Sequence, residues 1–208
     1  LLVKLIEYQA SLDSRNKGDQ TPLMLASCNG NVAAVKALVD AEACIGARDS
    51  AGSTPLAMAA HRGLVDVMRI LIGARASLNV ENTVGQTPLM LASDAGHVEA
   101  VKLLVNAGAD LNVCEADGFS SLAIAALLGR NDIVRILVDA KAQLNIRNRR
   151  GETALIVAAA EGHTAVVKIL LEARARQDIT NTDGATALDV AVEAEHDGVI
   201  QLLQSLNE

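Results

Sequence analysis

Apolar residues along this 208-residue chain fall into two alternating kinds of segment. Compact runs such as Leu89-Met90-Leu91-Ala92 are followed by stretches such as Val98 to Val105, in which apolar residues return every three or four positions with charged ones between them. The second pattern is that of an amphipathic helix. Ahead of each compact run stands a hydroxyl residue: Thr21, Thr54, Thr87, Ser120, Thr153 or Thr186. Such a hydroxyl accepts a hydrogen bond from an orphan amide of the first helical turn, and Pro22, Pro55 and Pro88 at the next position forfeit no bond. A short helix is therefore expected to start near 21, 54, 87, 120, 153 and 186. It should stop near Gly30, Gly63, Gly96, Gly129 and Gly162, with Glu195 where a sixth glycine would fall. A second helix then packs back antiparallel, and a polar connector, as at Asp117-Gly118 or 148–151, turns the chain toward the next cap.

Both landmarks keep a strict period of 33 residues. One helix pair cannot bury both its faces, so neighbouring pairs must stack and share a core. The expected architecture is an all-α open solenoid of stacked antiparallel helix pairs joined by β-turn loops, forming one domain over 1–208. It would comprise a trailing half-repeat over 1–14 and six pairs. In the last pair Gln201, Gln204 and Ser205 stand among the leucines of 198–206, giving a stack end that water can accept. The chain opens on Leu1 with a helix already in progress, so upstream repeats or another domain of a longer protein are expected to cover Leu1, Leu2 and Leu5.

Composition narrows the function. Half the residues are hydrophobic, but Tyr8 and Phe119 are the only aromatic side chains. The layers must therefore be thin and filled by Ala, Leu, Val and Ile. Twenty-five acidic residues against 18 basic ones give a net charge of -7, a poor match for a nucleic-acid partner, where clustered Lys and Arg neutralise phosphates. Cys28, Cys44 and Cys114 lack C-x-x-C spacing and suggest free thiols in a reducing, intracellular setting. No apolar run reaches the roughly 18 residues that span a bilayer, so no membrane partner is expected.

Thr-Pro-Leu, the Gly-His of Gly96-His97 and Gly162-His163, and Ala107-Gly108-Ala109-Asp110-Leu111-Asn112 resemble the ankyrin repeat over essentially the whole chain. The resemblance implies that His97 and His163 are structural. They stand two repeats apart, on the order of 20 Å at ordinary helix spacing, and so cannot share a metal. The family's His after Thr-Pro-Leu is replaced by Met24, Ala57, Met90, Ala123, Ile156 and Asp189, so its hydrogen bonding to Thr must be absent or substituted. Its Gly after the second helix survives only as Gly108, with Gln9, Glu42, Arg75, Lys141 and Arg174 elsewhere; a left-handed conformation at these costs about 1 kcal/mol each. Asn79, Asn112 and Asn145 match the position that asparaginyl hydroxylases modify in some ankyrin proteins, although turn stabilisation is their ordinary role.

No phosphate-cradling, zinc-protease or nucleophile-elbow motif is present, so neither an enzyme nor a cofactor is expected. The resemblance implies instead a protein partner on a concave surface of turn tips and first-helix ends. Candidate contact residues there include His61, Arg62, Val84 and Asp94. The strongest candidate patch is Phe119, Leu127 and Leu128, three apolar side chains on one repeat, beside Arg147, Arg149 and Arg150, which suit carboxylates or phosphorylated side chains. Two alternatives stay open: packing of the leucines toward the next repeat with Phe119 covering its own turn, and a structural spacer without a dedicated partner.

Overall fold

A computed structural model describes residues 12–205. Among them are twelve helices in six pairs: α1 (Pro22–Cys28) with α2 (Val32–Asp40), α3 (Pro55–His61) with α4 (Val65–Gly73), α5 (Pro88–Ala95) with α6 (Val98–Asn106), α7 (Ser121–Leu127) with α8 (Asn131–Asp139), α9 (Ala154–Ala160) with α10 (Thr164–Glu172), and α11 (Ala187–Glu193) with α12 (Asp197–Ser205). No strand occurs among the described residues, only an isolated antiparallel bridge between Cys114 and Ser120. The half-repeat expected over 1–14, with Leu1, Leu2, Leu5 and Gln9, lies almost wholly outside the described residues.

Every first helix begins on the expected cap. The hydroxyl oxygens of Thr21, Thr54, Thr87, Ser120, Thr153 and Thr186 each accept the amide three residues on, at 3.2 to 3.4 Å. Two of the residues replacing the family's His form a bond to the cap. The amide of Thr21 donates to Met24 Sδ at 3.4 Å, and Asp189 Oδ2 accepts from Thr186 N at 2.8 Å and from its hydroxyl at 2.6 Å. These two bonds hold the Asp189 carboxyl below its usual range. After the second helices, Glu42, Arg75, Lys141 and Arg174 do take the left-handed conformation, with φ between 64° and 67°.

The chain divides into two compact units, one ending at Asp110 and the other starting at Leu111. In the first, α1, α3 and α5 stack as one layer and α2, α4 and α6 as a second. Its core is Leu23, Met24, Leu38, Leu56, Met68, Leu71, Leu89, Met90 and Leu104, all fully buried or nearly so. In the second unit α7, α9 and α11 form one layer, called inner below, and α8, α10 and α12 a second, called outer. Leu122, Ile133, Leu137, Leu155, Leu170 and Leu203 fill its core. Among the described residues neither core contains an aromatic side chain, in line with the composition. On α12, Gln201, Gln204 and Ser205 are exposed.

Between pairs, each tip closes on itself through one polar side chain. In the tip of the second unit's second repeat, Asn148 N donates to Glu152 O at 3.0 Å, while Asn148 Oδ1 accepts the amides of Arg150 and Glu152, both at 2.9 Å. Asn82 and Asn181 repeat the device. Asn79, Asn112 and Asn145 do something different: their Oδ1 atoms accept the amides of Asp110, Gln143 and Arg176 at 2.8 to 3.0 Å, tying each repeat to the next. They are bridges between repeats rather than supports for their own turn.

A candidate protein-binding face on the second unit

In the second unit the tip loops stand over the ends of the inner helices and enclose a surface cavity of about 330 Å³. Phe119, Leu127, Val157 and Ala160 give it apolar lining; Asp117, Asn148, Arg149, Arg150, Glu152 and Glu161 give it polar lining. Phe119 is placed there by its backbone. Its amide donates to Glu115 Oε1 at 3.0 Å and its carbonyl accepts Glu115 N at 3.1 Å, so the residue just before the Ser120 cap is fixed from both sides. Its ring is half-buried, as is Leu127 at the end of α7, while Val157 is only 4% exposed and belongs to the cavity floor.

The charged wall is built by the Asn148 tip. Arg149 N donates to Asp117 O at 2.9 Å and Arg150 O accepts from Thr182 N at 2.8 Å, so both backbones are held while both side chains are exposed. Arg147 is used otherwise. Its Nε donates to Gly151 O at 3.1 Å and its Nη2 to Thr180 O at 2.9 Å, 33 residues away. The first unit has the same clamp: Arg48 bonds Gly52 O and Glu81 O, and Arg15 bonds Asp19 O and Arg48 O.

Of the sequence candidates, Phe119, Leu127, Arg149 and Arg150 line one cavity. Leu128 caps α7 at 39% exposure but does not line it. Arg147 is taken up by its clamp, and the other four belong to the first unit. His61 ends α3 and Arg62 caps it, both exposed; Asp94 is exposed near the end of α5, and Val84 stands 48% exposed on a tip. Val157 and Asn148 are lining residues that sequence reasoning missed, since one reads as core and the other as an ordinary turn residue.

Histidine rungs position the helix ends. His97 Nε2 lies 3.1 Å from His61 O, His163 Nε2 3.0 Å from Leu127 O and His196 Nε2 3.0 Å from Ala160 O. A carbonyl only accepts, so Nε2 carries the proton in each. The expected structural use of His97 and His163 is what the geometry displays, and His196 extends it although Glu195 has replaced the preceding glycine.

With helix pairs, tips and rungs in place, the comparison with known families decides the kinship. The family model described as ankyrin repeats in three copies matches residues 1–82, 74–148 and 140–208. The chain belongs to the ankyrin repeat family. Members of this family are generally protein–protein interaction modules. No curated protein matches the chain. Among the described residues no group of three or more His, Cys, Asp or Glu could hold a metal ion, and no helix is long and apolar enough to cross a membrane. The described cysteines, Cys28, Cys44 and Cys114, are free thiols.

Proposed function

We propose that this ankyrin chain holds a protein partner on the inner-helix face of its second unit and performs no chemistry of its own. The observation that carries this reading is the cavity in which Phe119, Leu127, Val157 and Ala160 lie beside Arg149 and Arg150. Interface hot spots combine an apolar anchor site with Arg at the centre of a contact, and a half-buried aromatic on a loop tip has no core to fill. A pure spacer has no use for apolar side chains at Phe119 and Leu127, where polar ones keep the surface soluble. Turn tips and first-helix ends line the cavity, the surface on which the family resemblance implies a partner.

The test is a binding titration. A partner is captured with the intact chain from its native source, identified, purified and titrated against the wild type and against Phe119→Ser and Leu127→Ser. About tenfold weaker binding by each variant, with an unchanged circular dichroism spectrum, is the expected result. Equal affinity for wild type and both variants rules this face out.

A further inference from the structure

Three arginines fall within four residues of one tip, and only one is consumed by the fold. Arg147 spends its guanidinium on two carbonyls, whereas the side chains of Arg149 and Arg150 form no hydrogen bond or ion pair among the described residues. Both nevertheless project from pinned backbone: Arg149 N on Asp117 O, Arg150 N on Asn148 Oδ1, and Thr182 N on Arg150 O. A guanidinium on a fixed base loses less freedom on binding, and its planar fork matches a carboxylate. Both line the cavity whose apolar lining is Phe119, Leu127, Val157 and Ala160. At about 330 Å³ the cavity is at the small end of ligand pockets, sized for side chains of an extended segment.

We propose that the partner presents an extended acidic peptide here, seating one large apolar side chain against Phe119, Leu127 and Val157 and an adjacent Asp or Glu carboxylate on Arg149 and Arg150. This rests on the binding reading above and specifies its ligand. The same cavity carries Asp117 and Glu161, both exposed, and Glu152, whose Oε2 accepts from Asn148 Nδ2 at 2.8 Å. Attraction to the two arginines and repulsion from these carboxylates both double for a dianion, but its desolvation cost grows with the square of the charge. A single negative charge is favoured, and so a carboxylate over a phosphate. The opposed charges also favour a segment with its acid on the arginine side alone over a uniformly acidic run.

The test is selection of random heptapeptides displayed on phage against the immobilised 208-residue chain, followed by titration of synthetic winners. The enriched sequences are expected to carry Leu, Ile, Met or Phe within two residues of Asp or Glu. Affinity is expected to fall about tenfold on Arg149→Ala/Arg150→Ala and by a similar factor when the peptide acid becomes its amide. A basic or uncharged consensus, tighter binding of a phosphoserine peptide, indifference to the arginine variant, or no enrichment overturns the proposal. Peptides that lose affinity on Phe119→Ser but keep it on the arginine variant refute the acidic ligand and leave the binding face standing; peptides indifferent to both variants refute the face as well. Because neither side chain makes an internal bond, the arginine variant is expected to fold, and an unchanged thermal midpoint confirms it.

Discussion

The Nε2 of His163 lies 3.0 Å from the carbonyl oxygen of Leu127, 36 residues earlier in the chain. One imidazole thus holds the end of α7 at the point where Leu127 meets the cavity, so the stacking of repeats and the shape of the cavity share a bond. His163→Ala removes this bond and leaves the carbonyl with water as its remaining partner, in a part-buried position. A loss of about 1 kcal/mol in urea unfolding is expected. Binding should weaken as well, because the α7 end is no longer fixed.

Glycine replacements separate backbone strain from steric clash. Gly118 has φ 88°, and a Cβ there meets Asn148 Cα at 2.9 Å and Arg149 N at 3.0 Å, both backbone atoms that cannot move aside cheaply. Gly108 has φ 87° with nothing within 4 Å of its Cβ. Gly108→Ala should therefore cost only the left-handed penalty of about 1 kcal/mol, and Gly118→Ala distinctly more. Equal losses on chemical denaturation show that the tip contact is irrelevant.

The reverse change should stabilise. Lys141 and Arg174 are exposed at φ 67°, the region that disfavours a Cβ. Lys141→Gly and Arg174→Gly are each expected to raise stability by about 0.5 kcal/mol, the relieved strain exceeding the extra freedom glycine gives the unfolded chain. Thermal midpoints of the single variants check it.

The Asp189 cap carries a pH dependence. Hydrogen bonds from the hydroxyl and amide of Thr186 lower its pKa in the folded state. A depressed carboxyl contributes stability that is fully present above the unfolded pKa, near 4, and is lost as pH falls through the lower folded value. Protection of the α11 amides, taken against their intrinsic exchange rate at each pH, should accordingly fall as the solution is acidified below about pH 4, and Asp189→Asn should remove that fall. A wild-type exchange profile identical to that of the variant contradicts the cap's role.

Local chemistry was the part of the fold most legible in the sequence. Thr or Ser before a compact apolar run fixes a helix start from within four residues, and all six starts fell where those residues put them. The left-handed positions at Glu42, Arg75, Lys141 and Arg174 were legible for the same reason, because Gly108 marks the register. Bonds that cross from repeat to repeat were not. Arg147 looked like a partner contact beside Arg149 and Arg150, since nothing within its own repeat discloses that Thr180 O lies within reach. Asn112 looked like a turn residue because its acceptor duty is to Gln143 N, 31 positions on. Val157 carries no signal of its own in the sequence: it is an apolar residue of a first helix, largely buried, and only the stacked tips make it the floor of a cavity. Phe119 stood out in the sequence as the aromatic on a turn tip, and it lines the cavity.

Site-directed photo-crosslinking tests the location of the partner most directly. A photoreactive side chain is placed in turn at Ala160, which lines the cavity, and at Lys168, exposed on the outer helix α10. Irradiation with the partner bound should give a covalent adduct from position 160 and little or none from 168. An adduct from 168 alone, or equal yields from both positions, contradicts a partner seated on the inner-helix face of the second unit.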